Sequence, residues 1–73
     1  INLSKVKLKI SPNPTSDKIK ILIKDKIKTF GIYTVTGVFI ETELSDGYID
    51  VSNLKKGIYI VKVNQYYIKF IKI

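Results

Sequence analysis

The chain contains no cysteine, no histidine and no arginine, so all 13 of its basic residues are lysine. Without cysteine there is no disulfide and no thiol nucleophile. Without histidine the commonest general base and the commonest transition-metal ligand are missing as well. A single domain of 73 residues hides only about 60% of the surface that its unfolded chain exposes. With no covalent or metal staple, it must stand on apolar burial, and a 45% hydrophobic composition makes that feasible. The lack of arginine removes the side chain best suited to bidentate contacts with guanine or phosphate. The net charge of +7 is read first as lysines alternating with isoleucine on solvated strand faces and blunting sheet edges. Non-specific adhesion to an acidic surface is the lesser alternative.

Acidic chemistry is equally thin. The carboxylates are Asp17, Asp25, Glu41, Glu43, Asp46 and Asp50. Asp25 and Asp46 fall in turn signals. Glu41 and Glu43 share a strand face, and a solvated edge is the better reading than a glycosidase pair. No stretch is dense enough in oxygen ligands for calcium. The sequence therefore predicts no metal, no cofactor and no enzyme. No apolar run is long enough to span a bilayer. The chain begins at Ile1 rather than Met, and a piece of a longer precursor is expected, with residues 1–5 a linker remnant.

What is present is alternation. Val6 to Ile10 alternates apolar residues with lysine at the period of a half-buried strand, and Ser11-Pro12-Asn13-Pro14 ends it in a stiff bend. Ile19 to Ile23 repeats the pattern with Ile19, Ile21 and Ile23 on one face. Ile27 to Val35 gives a third strand, and a bulge at Gly31 would decide which face Tyr33 takes. Gly37 turns the chain into a strand over Val38 to Thr42. Ser45-Asp46-Gly47 leads into Tyr48 to Val51. Ile58 to Val63 and Tyr66 to Ile73 complete the set, with Asn64-Gln65 at a hairpin tip. No helical period is visible. Short strands at this spacing predict an all-β, mostly antiparallel sandwich of about seven strands, with a small barrel of the OB or SH3 kind as the competitor.

Aromatic residues and lysines together raise the possibility of a stacking platform for sugar or single-stranded nucleic acid. Phe30, Phe39, Tyr59 and Phe70 are read instead as core, because they lie in alternating strands. Only Tyr66-Tyr67 is expected to be exposed, and adjacent residues of a strand point to opposite faces.

Asp50 to Val61 reads as a strand end, a compact turn and a new strand. Leu54 is expected to plug the turn onto the core, and Gly57 to permit it through a positive φ.

These segments form an ordered set: Ser11-Pro12-Asn13-Pro14-Thr15-Ser16, Ile32-Tyr33-Thr34-Val35-Thr36-Gly37, Asp50 to Val61, and Lys69-Phe70-Ile71-Lys72-Ile73. Together they resemble the C-terminal sorting domain of proteins secreted by the type IX (Por) system of Bacteroidetes, from Ile10 to Ile73. Asp17 stands where that family often has glycine, and Thr34 where an acidic residue is common. The resemblance implies an Ig-like sandwich and a function as an address label on an upstream cargo. The cargo would travel through the periplasm to the cell surface or the medium. The implied partners are the outer-membrane translocon and, in many members, a sortase-like peptidase that removes the label and releases the cargo or attaches it to the surface. Carried over by position, the signal residues are Pro12, Asn13, Pro14, Gly57, Tyr59 and Lys69 to Ile73, including Phe70, Ile71 and Lys72. Gly37, Gly47 and Leu54 would be structural turn residues. Dimerisation through edge strands is a further expectation, and no specific nucleic acid is expected. From the residues alone, an Ig-like or OB-like binding module for carbohydrate or nucleic acid stands as the alternative.

Overall fold

The computed structural model describes residues 8–73. Its strands are β1 (Leu8–Ser11), β2 (Lys18–Ile23), β3 (Phe30–Thr34), β4 (Phe39–Ile40), β5 (Leu44–Ser45), β6 (Tyr48–Asp50), β7 (Gly57–Val63) and β8 (Tyr66–Lys72). They form two four-stranded sheets, ordered β1-β2-β6-β5 and β4-β3-β7-β8. Every strand pair is antiparallel. Lettered as in an immunoglobulin domain, these orders are A-B-E-D and C′-C-F-G. The fold is therefore an Ig-like sandwich, and two separate sheets exclude the closed-barrel competitor.

The core follows from period-two patterning. Ile19 and Ile21 on β2 point inward between exposed Lys18, Lys20 and Leu22, and Ile49 on β6 lies directly across from Ile19. From the other sheet, Ile32, Val61, Val63 and Phe70 meet them, all fully buried. Burying each such side chain stabilises the fold by about 1.5–3 kcal/mol. Leu8, Val51 and Tyr59 complete the buried cluster.

Turn chemistry fixes the registers. Asp46 and Gly47 both take positive φ, 52° and 80°, the requirement of a type I′ two-residue hairpin between β5 and β6. Asn64 (φ 56°) opens the β7–β8 hairpin, and its side chain is also an anchor. Its Oδ1 accepts from the amides of Lys28 (2.7 Å) and Thr29 (3.2 Å), and its Nδ2 donates to the Lys26 carbonyl at 2.8 Å. The tip thereby holds the β2–β3 connection in place.

Several expectations are corrected. Phe39 is not in the core: it is 57% exposed on the outer face of its sheet. Tyr33 lies across from it in register, and the rings meet edge to face at 5.5 Å. There is no bulge at Gly31, since β3 pairs with β7 without interruption from Phe30 to Thr34. Gly31 instead leaves room for that aromatic pair, because a Cβ there would come within 3.1 Å of both rings. The strand expected over Val38 to Thr42 is only Phe39–Ile40. Glu41 and Glu43 lie outside any strand, and the short β5 was not anticipated. Tyr66 packs against the core, leaving Tyr67 as the exposed member of that pair. The expectations for Val6, Lys7 and residues 1–5 fall outside the described residues.

Candidate functional site

Two segments far apart in the chain meet at the edge of one sheet. β8 is an edge strand, hydrogen-bonded to β7 on one side. An edge strand offers a row of amides and carbonyls that invites pairing. After β1 the chain passes through Pro12 and Pro14, both preceded by cis peptide bonds, and arrives alongside β8. Asn13 then uses its side-chain amide as a strand would use its backbone. Its Nδ2 donates to the Lys69 carbonyl at 3.2 Å, and its Oδ1 accepts from the Ile71 amide at 3.0 Å. Thr15 continues the contact as a parallel bridge with Lys72. Its amide donates to the Ile71 carbonyl, and its carbonyl accepts from the Ile73 amide, both at 2.9 Å.

Thr15 is 1% exposed, so its hydroxyl needs a partner. It donates to the Lys18 carbonyl at 2.8 Å. The carbonyl of nearby Asp17 accepts from the Val51 amide at 2.8 Å, tying the same segment to the residue that follows β6. Thr15 was not singled out as a site residue in the sequence. Its signal in the sequence is a hydroxyl placed just after the Pro-Asn-Pro bend, where it can bond nearby backbone groups and close the turn.

A corner supports the junction from the other side. The Tyr59 hydroxyl donates to the Lys55 carbonyl at 2.7 Å, four residues back in the chain. This is the geometry of a tyrosine corner, at the strand where Ig domains carry it. The Tyr59 ring stacks on Phe70 at 5.6 Å, joining the corner to β8. Gly57 takes φ 153° and pairs with Lys72. Leu54 packs against the core, and its amide donates to the Val51 carbonyl at 3.0 Å. At the start of the corner, Asp50 Oδ1 accepts from the Ser52 amide (2.9 Å) and hydroxyl (2.6 Å). Those bonds, aided by the charge of Lys18, hold the Asp50 carboxyl below the usual carboxylate range.

The residues singled out in the sequence thus divide. Asn13, Gly57, Tyr59 and Lys69 to Ile73 form one continuous patch, with Pro12 and Pro14 framing Asn13. Gly37 and Gly47 sit in turns of different sheets and lie apart from it. Within the patch Lys69 and Ile71 are exposed, whereas Phe70 and Lys72 point inward. The Lys72 ammonium donates to the Ile73 carbonyl at 3.2 Å. No group of residues able to hold a metal ion occurs among the described residues. Among them, too, no helix is long and apolar enough to cross a membrane.

The family model described as "Secretion system C-terminal sorting domain" matches residues 9–72. The chain belongs to that family. It is a type IX sorting signal, directing a cargo in the same precursor through the periplasm to the cell surface or the medium. The matched span takes in both the Pro-Asn-Pro bend and all of β8, so all of the junction but Ile73 lies within the family's own boundaries. Sorting domains are labels and in general not catalysts. No curated protein and no solved structure matches the chain.

Proposed function

We propose that the secretion machinery reads this domain as a folded shape, and that the element read is β8 as held by Asn13 and Thr15. The observation that supports this reading is the set of hydrogen bonds from both residues to the backbone of Lys69, Ile71 and Ile73. On this account Pro12, Asn13, Pro14 and Thr15 fix the edge of the strand. Gly57, Tyr59 and Phe70 fix its inner side, while Lys69 and Ile71 present their side chains outward. The domain has no catalytic part in the process. A sortase-like peptidase then removes it, and the cargo is released or attached at the surface. Dimerisation by strand pairing at Lys69 to Ile73 is disfavoured, because the Lys69 carbonyl, both Ile71 backbone groups and the Ile73 amide are already bonded.

The test is a precursor ending in residues 1–73 behind a periplasmic reporter, with and without Phe70 to Ile73. The reading predicts that the truncated precursor stays in the periplasm. Undiminished export after truncation contradicts it.

A further inference from the structure

The sheet β4-β3-β7-β8 turns alternate side chains away from the core, and its registers arrange them in rows. Phe39, Tyr33, Ile60 and Lys69 make one row across the sheet. Gly31, Lys62 and Tyr67 make the next, and Ile58 faces Ile71 in a third. Phe39, Ile58, Tyr67 and Ile71 are between 41% and 66% exposed. A shallow cleft of about 290 Å³ lies between Tyr33, Ile60, Lys62 and Tyr67. The outer face of the opposite sheet is more polar: Lys9, Lys18, Lys20 and Asp50 stand outward there, with Leu22 and Tyr48 the exposed apolar side chains among them and Lys18 and Lys20 over the Tyr48 ring. In a free-standing sandwich both outer faces are expected to be polar, and a contiguous apolar face marks an interaction surface.

Charge narrows the partner. Lys62 and Lys69 are the charged side chains on this face, and no carboxylate occurs anywhere on β3, β4, β7 or β8. The Lys62 ammonium lies 5.5 Å from the centre of the Tyr67 ring. We infer that the outer face of β4-β3-β7-β8 is a docking surface for a protein partner that presents apolar side chains with carboxylates set among them. This rests on the sorting-signal reading and deepens it, by extending the contact from the β8 strand across the whole sheet. Contact by strand addition at Lys69 to Ile73 is closed by Asn13 and Thr15, which leaves the face. A second copy of this chain would set lysine against lysine. A lipid surface is the poorer fit, since its lysines belong at the rim of an apolar patch, whereas Lys62 stands on an inner strand, with Tyr67 across from it on one side and, on the other, Gly31 beside the Tyr33 and Phe39 rings.

The experiment compares export of a periplasmic reporter carrying the intact domain, the pair Lys62→Glu/Lys69→Glu, the pair Ile58→Thr/Tyr67→Ser, and the opposite-face pair Lys20→Glu/Leu22→Thr. An authentic sorting domain serves as the host control, and melting temperatures establish that each variant folds. Like charges set against a complementary partner suppress association strongly, so export of the lysine pair falls about tenfold or more. The apolar pair falls with it, and the opposite-face pair exports as the intact domain does. Should the apolar pair fail to fold, the lysine pair decides alone, because its side chains carry no part of the core. Export of the intact domain with undiminished export of the lysine pair overturns the inference and leaves the sorting reading standing. Retention of the intact domain beside an exported control overturns both. Binding of the intact domain to phosphatidylglycerol vesicles, lost in both face variants while export continues, reassigns the face to lipid and likewise overturns the inference.

Discussion

Asn13 and Ile71 are 58 residues apart in sequence and share a 3.0 Å hydrogen bond from the Ile71 amide to the Asn13 side-chain oxygen. The same asparagine reaches the Lys69 carbonyl. One side chain therefore takes the place of a neighbouring strand at the exposed edge of β8, and it joins the start of the domain to its last strand.

Replacing Asn13 tests that relationship locally. Asn13→Ala removes both bonds and should lower stability by about 1 kcal/mol, since the contact is exposed and water competes for it. Asn13→Asp keeps an acceptor for the Ile71 amide but sets a carboxylate against the Lys69 carbonyl. Amide exchange should therefore quicken at Ile71 in the alanine variant and less in the aspartate variant. Ile73, held by Thr15, should change little in either. Equal exchange at Ile71 in all forms would mean that the side chain contributes nothing to the edge.

Tyr59 separates a hydrogen bond from a packed ring. Tyr59→Phe loses the bond to Lys55 but keeps the stack on Phe70, and should cost about 1 kcal/mol. Tyr59→Ala also opens a cavity beside Phe70 and should cost about 3 kcal/mol or more. Urea unfolding distinguishes the two. A phenylalanine variant as unstable as the alanine variant would place the whole effect in the corner.

Two glycines should respond to alanine to different extents. A Cβ added at Gly57 would meet nothing closer than a Tyr59 ring atom at 3.9 Å, yet the φ there is 153°. Gly57→Ala should therefore cost about 1–3 kcal/mol through backbone strain, with Gly57→Val at the upper end and defective in export. At Gly31 the clash is with the far ends of two aromatic rings, which can shift. Gly31→Ala should stay within about 1 kcal/mol of the parent, because the unfolded chain also loses freedom. Urea midpoints that put Gly31→Ala below Gly57→Ala would reverse the argument.

Acid should weaken the Asp50 corner in a defined direction. The folded chain holds the Asp50 carboxyl below the usual carboxylate range, through Ser52 first and Lys18 last. Between the folded and unfolded values the unfolded chain binds more protons, so stability rises with pH. The contribution is complete above the usual carboxylate range and is lost as pH falls through the folded value. Asp50→Asn should therefore show a shallower loss of stability on acidification than the parent. Identical acid profiles would exclude a role for the carboxylate charge.

Strands were legible where lysine and isoleucine alternate strictly, as at Ile19-Lys20-Ile21, because one register alone puts every isoleucine inside. Val38-Phe39-Ile40 has no such alternation. Its facing is set by Ile32 and Tyr33 across the sheet, which is a long-range fact. Leu44–Ser45 is too short to carry a period. The residues that meet at the β8 edge could be named as motifs. Their adjacency could not, since Asn13 acts there through a contact that no local pattern encodes. Asn64 shows the same limit: a turn residue was visible, but not its hold on Lys26, Lys28 and Thr29.

The central claim is that this folded chain is itself sufficient as an export address. The most direct measurement fuses residues 1–73 to the C-terminus of a reporter delivered to the periplasm of a type IX-competent host, and locates the reporter. The account predicts reporter at the cell surface or in the medium. Reporter held in the periplasm, in a host that exports the same reporter on an authentic sorting domain, would contradict it.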